Sequence, residues 1–132
     1  MGLLERLSKL DLTRRSAVLE QRLAELYADN GKTAASIDAL ERALKLKPAP
    51  PMRTQLQLGL ARRLAAVHRN AEAVRHYDDL IALETSRQAR LALFEEALPV
   101  AQSAGAAATA RRFETEIRLL KAAATNTSPI NR

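Results

Sequence analysis

The chain has 132 residues, 47% of them hydrophobic and only 3% aromatic, and 21 lysines and arginines outnumber 15 aspartates and glutamates for a formal charge of +6. That length is one domain's worth and buries a core without cross-links; the lack of cysteine excludes a disulfide framework and a thiolate metal site and fits a reducing, cytoplasmic setting. Apolar content carried by alanine and leucine, with few β-branched residues, predicts an all-α chain.

The N-terminus, MGLLERLSKLDL, interleaves leucines with Glu5, Arg6 and Lys9. It therefore lacks the unbroken apolar region of a secretory signal and is too short and charged to span a bilayer. Arg6 also stands where N-myristoylation wants serine or threonine. Thr13 is placed to cap a helix from about residue 14, with Leu19, Leu23, Leu26 and Tyr27 as its core stripe. Asn30-Gly31 ends it. Thr33 is placed to cap a second helix carrying Ile37, Leu40, Ala43 and Leu44, which stops before Pro48. The PAPP run is a rigid connector, and Pro51 suits the first turn of a third helix with Leu56, Leu60, Leu64 and Val67 inside. Asn70 opens a fourth, whose stripe is Ala73, Val74, Tyr77, Leu80 and Ile81 and which fades at Thr85-Ser86. The fifth carries Leu91, Phe94, Leu98 and Ala101, with Pro99 expected to kink or break it. Gly105 ends that helix, and the sixth, from about 106 to 124, buries Ala110, Phe113, Ile117 and Leu120. Residues 125–132 have nothing to bury and are expected to be disordered.

Six helices of similar length joined by short turns suggest three hairpins, and the small residues recur. From Leu23-Ala24 through Tyr27, Gly31, Ser36, Leu40 and Ala43 to Pro48, the spacing resembles the tetratricopeptide repeat. Glu20 replaces its tryptophan, Ala24 its first glycine and Ser36 its alanine. A second copy reads Leu60-Ala61, Leu64, Ala73, Tyr77 and Leu80, with His68 for the turn glycine and Thr85 for the proline. A third keeps Leu91, Phe94, Leu98, Ala110 and Phe113 but has Glu95 at a small-residue position. The resemblance implies a right-handed α-solenoid of about three stacked antiparallel helical hairpins over residues 1–124, with repeats at about 17–50, 54–87 and 88–121. Close crossing within a hairpin requires small residues such as Ala24, Ser36 and Ala43. Leu3, Leu7 and Leu10 read as the stripe of an N-terminal capping helix; a membrane anchor through residues 1–12 is disfavoured by Glu5 and Asp11.

What the tetratricopeptide resemblance implies is a protein-binding module: a small adaptor, scaffold or chaperone that takes a peptide or helix of a partner protein in a concave groove lined by the first helix of each hairpin. The residues expected there are Val18, Gln21, Glu25 and Asp29, then Gln55, Leu58, Arg62 and Ala65, then Ala89, Ala92 and Glu96. The carboxylate clamp of the chaperone-binding members is missing, because Gln21, Glu25, Gly59, Ala89 and Leu93 occupy its positions. Alternative readings are a bacterial secretion-type chaperone, a self-assembling structural subunit and a basic RNA-associated protein.

No catalytic, cofactor or metal site is expected. His68 and His76 lie eight residues apart rather than at i and i+4. Asp78-Asp79 and Glu95-Glu96 are adjacent pairs, whose side chains diverge by about 100° on a helix. The four glycines are isolated, so no phosphate loop exists. Nucleic acid is disfavoured because Tyr27, Tyr77, Phe94 and Phe113 all fall on core stripes, leaving no stacking platform. The basic doublets Arg14-Arg15, Lys45 with Lys47, Arg62-Arg63 and Arg111-Arg112 read as solvated helix faces. No small-molecule substrate is implied, and an uncapped repeat end leaves room for a homo-oligomer.

Overall fold

Among the described residues, four helices end at a residue with a left-handed backbone, and another ends in an extended cap at Glu84. Gly31 (φ 74°) and Gly105 (φ 73°) each close a helix by the same pair of hydrogen bonds. The Lys32 N–H donates to the Tyr27 carbonyl at 2.7 Å and the Gly31 N–H to that of Ala28 at 3.0 Å; Ala106 and Gly105 do likewise to Ala101 and Gln102. Both are six-to-one caps that satisfy orphan carbonyls. Two further turns use the same conformation without glycine, at Lys47 (φ 53°) and at His68 (φ 64°), the residue that replaces the turn glycine of the second repeat.

The computed structural model describes residues 2–126, and the side-chain surroundings of residue 12 and residues 14–124. Among them are six helices and no strand: α1 (Gly2–Asp29), α2 (Thr33–Lys45), α3 (Pro50–Ala66), α4 (Asn70–Leu83), α5 (Arg87–Ser103) and α6 (Ala107–Asn126). The chain divides into two compact units between Val67 and His68. In the first, α1 packs on α2 and α2 on α3; in the second, α4 packs on α5 and α5 on α6.

In the first unit, Ala17 and Ala24 of α1 and Ser36, Ala39 and Ala43 of α2 are fully buried. The small side chains let the backbones approach until the Ser36 hydroxyl donates to the Ala24 carbonyl at 2.7 Å. An Arg42–Glu20 ion pair at 3.1 Å bridges the same two helices at the surface. Leu56, Leu60, Ala61 and Leu64 of α3 are also buried. In the second unit, Tyr77, Leu80 and Ile81 of α4 join Phe94, Ala97 and Ala101 of α5 and Ala110 and Phe113 of α6. The Phe94 and Phe113 rings meet edge to face, with centroids 5.4 Å apart. Arg90 donates to the Ile81 carbonyl at 2.9 Å, closing the end of α4.

Several local expectations are corrected. Helix α1 runs unbroken through Thr13, so the segment read as a separate capping helix is the N-terminal extension of α1. The side chains of Leu3, Leu7 and Leu10 lie outside the described residues. The buried face of α1 carries alanines, and the stripe expected to be core is wet: Leu19 is 64%, Leu23 37% and Leu26 59% exposed, with Tyr27 half-buried. The close crossing selects the Ala17–Ala24 face, and Leu23 is turned about 100° from Ala24. Val67 is exposed because it is the C-cap of α3. Lys32 and Arg69, not Thr33 and Asn70, occupy the N-cap positions of α2 and α4, and neither makes a side-chain cap. Ser86 does cap α5, accepting from the Ala89 N–H at 3.2 Å. Pro99 does not break α5, which runs on to Ser103; Pro99 and Glu95, whose carbonyl loses its intrahelical partner, are both exposed. Helix α6 runs to Asn126, past the expected start of the tail at residue 125, and residues 127–132 lie outside the described residues.

Candidate functional site

A cavity of about 180 Å³ opens in the first unit between α1 and α3. Its walls are built by helical periodicity: Gln21 and Glu25 stand one turn apart on α1, and Gln55, Gly59 and Arg63 stand at successive turns of α3. Ala24 and Leu40 form an apolar floor. Gly59 holds it open, since a Cβ there would meet Arg63 Nη1 at 3.1 Å and Leu40 Cδ1 at 3.8 Å. Arg63 is folded along its own helix, donating from Nη1 to the Gly59 carbonyl at 3.3 Å. Its Nε is buried without a hydrogen-bond partner. The result is a small groove with amide walls, one carboxylate and one guanidinium over an apolar base.

This groove unites three of the residues expected from sequence, Gln21, Glu25 and Gln55. Val18 instead shares a depression of about 520 Å³ with Arg14, Arg15 and Leu19. Asp29 and Arg62 are exposed, while Leu58 and Ala65 are half-buried on α3. In the second unit, Ala92 of α5 is exposed, Ala89 half-buried, and Glu96 accepts a hydrogen bond from the Tyr77 hydroxyl. Gly59 and Arg63 are not among the residues expected to line the groove; the available signal was an isolated glycine inside a helical pattern, which costs helix stability and so points to a packing or functional reason. A larger depression of about 560 Å³ lies at the α2–α3 connection, lined by Leu44, Lys47, Pro48, Pro50, Arg53 and Gln57, and contains none of the expected residues.

The adjacent carboxylate pairs are split between separate tasks. Asp78 pairs with Arg112 at 3.0 Å, and Arg112 also sits 5.0 Å from the centroid of the Phe113 ring. Glu95 pairs with Lys121 at 3.3 Å, on a different side from the Glu96–Tyr77 bond. Among the described residues no three His, Cys, Asp or Glu side chains are grouped to hold a metal. No helix of the described residues is long and apolar enough to cross a membrane.

No protein-family model matches the chain, and no curated protein matches it. Among solved structures, the chain is similar to the crystal structure of nearly identical TPR-like repeats from a protein named as a kinesin light chain of Podosopora anserina, at 24% identity and a TM-score of 0.65 over 82% of this chain. A single-substitution variant of that protein is similar at 23% identity and a TM-score of 0.64 over 83%. The match spans 56% and 57% of those chains. The chain has the fold of TPR-like helical repeats.

Proposed function

We propose that the chain is a protein-interaction module, a small adaptor or scaffold without catalytic activity, which receives a peptide segment of a partner protein in the α1–α3 groove. The observation that carries this reading is the groove itself: an apolar floor of Ala24 and Leu40 walled by Gln21, Glu25, Gln55 and Arg63, and kept open by a mid-helix glycine. Side-chain amides and opposite charges on the two walls suit the backbone and side chains of an extended peptide, whereas the floor is too small and shallow for a cofactor. In this reading Leu58, half-buried on α3, extends the apolar contact, and the exposed Arg62 guanidinium supplies a charged rim.

A photo-crosslinking amino acid placed at Gln55 in the native host is expected to trap a defined partner segment, and the same residue placed at Arg111 on α6 is not. A synthetic peptide of that segment should bind the full chain, and Leu58→Asp with Arg62→Glu should weaken it at least about tenfold with unchanged circular dichroism. Trapping at Arg111 alone, or full affinity in the double variant, would move the binding surface elsewhere.

A further inference from the structure

We propose that α1 pairs with α1 of a second copy of this chain, parallel and in register, through the exposed stripe Leu12, Leu19, Leu23 and Leu26. Single wet leucines are ordinary. These four, 63%, 64%, 37% and 59% exposed, follow one another at intervals of seven, four and three residues. That is the a/d spacing of a two-helix seam, interrupted only by Ser16. At about 100° per residue the four fall within a sector of about 60°. A helix that lies on a lipid surface or against a broad core needs an apolar face of about 100° or more, and the narrower stripe is the one that fits a second helix.

Charge selects the occupant and its direction. With Leu12, Leu19 and Leu26 at d, Leu23 falls at a, Arg15 at g and Glu20 at e. In a parallel pair, each g residue meets the e residue five positions further along the other helix, so Arg15 of each copy faces Glu20 of the other. In an antiparallel pair, g meets g and e meets e, which sets arginine against arginine and Glu20 against Glu20. Glu20 is fixed at that edge by Arg42 at 3.1 Å and keeps 24% of its side chain exposed. The leucine surface amounts to roughly half of the ~800 Å² a side of a standard interface, so the association is weak.

Sedimentation velocity on the full chain, from low micromolar to near-millimolar concentration, should show the mass rising from monomer toward dimer. Leu19→Glu should hold it at monomer with unchanged helicity, because Leu19 is already mostly exposed. Arg15→Glu should weaken the dimer, and adding Glu20→Lys together with Arg42→Glu, which keeps the α1–α2 ion pair in reversed sense, should restore it. The chain has no cysteine, so Leu12→Cys and Leu26→Cys each introduce a single thiol, and in the parallel register each should oxidise to a covalent dimer. A chain that stays monomeric throughout overturns the proposal. Disulfide formation by Leu19→Cys but not by Leu12→Cys or Leu26→Cys overturns the parallel register. A monomer that co-sediments with phosphatidylserine–phosphatidylcholine vesicles, and loses this in Leu19→Glu, assigns the stripe to a lipid surface instead.

Discussion

Ser36 tests the helix crossing most directly, because its hydroxyl and its small volume make separable predictions. It is fully buried, and its Oγ donates to the Ala24 carbonyl at 2.7 Å. Ser36→Ala removes that bond but leaves the Ala24 carbonyl its intrahelical N–H, so the loss is the ordinary net value of about 1 kcal/mol. Ser36→Val sets a methyl where the hydroxyl was. Carbon approaches a carbonyl oxygen only to about 3.3–3.6 Å, so the helices must part by roughly 0.6–0.9 Å. Overpacking of that kind adds about 1–3 kcal/mol, for a total of about 2–4 kcal/mol. Ser36→Thr keeps the hydroxyl and isolates the volume effect. Urea melts followed by far-ultraviolet circular dichroism give the magnitudes. Amide exchange in α1 and α2 should accompany them, since the two compact units need not unfold together. If valine proves no costlier than alanine at this position, the helices do not cross closely there and the small-residue spacing has another cause.

Other perturbations separate backbone, core and charge. His68→Gly should raise stability and Gly31→Ala should lower it, each by about 1 kcal/mol, because both positions hold positive φ; urea midpoints moving the other way would contradict the turn geometry. Phe113→Ala should cost about 3–5 kcal/mol, with exchange protection lost in α5 and α6, since the edge-to-face pair with Phe94 centres that core. The Arg69 guanidinium, hydrogen-bonded to Glu72 at 2.8 Å, holds the Glu72 carboxyl below the ordinary glutamate range. A depressed carboxyl stabilises at pH above its unfolded value and stops doing so as pH falls through its folded value, so protection at the start of α4 should weaken in acid, and Glu72→Gln should remove that pH dependence. Both side chains are well exposed, so the effect is small and is read by NMR titration of Glu72 rather than by melting.

What could be read from the sequence divides along physical lines. The stripe of α4, from Ala73 to Ile81, is buried as expected because its apolar residues are large, clustered and confined to one face. Gly31 and Gly105 end helices where expected because positive φ is a local demand that glycine meets without Cβ strain. Helix α1 misleads because its leucines form the stronger periodic signal, yet its packing is decided by Ala17 and Ala24, whose value lies in what they leave out. Periodicity weighs hydrophobicity, and a close crossing rewards smallness instead. The groove was half legible for a related reason: Gln21, Glu25 and Gln55 follow from helix-face arithmetic, whereas the space between them depends on Gly59 and on how Arg63 folds back, which spacing alone does not give.

Gly59 is therefore the position where stability and binding should part company. A glycine inside a helix costs roughly 0.5–1 kcal/mol relative to alanine, and α3 continues on both sides of it. Its added Cβ would meet only the flexible head of Arg63 at 3.1 Å and Leu40 at ordinary contact distance, so little opposes the gain in helix propensity. Gly59→Ala should raise the urea midpoint while pushing the Arg63 head into the groove and weakening the captured peptide. If the variant loses stability instead, the glycine serves packing. If it gains stability and binds as before, the peptide does not run past Gly59, and the α1–α3 groove is not its site.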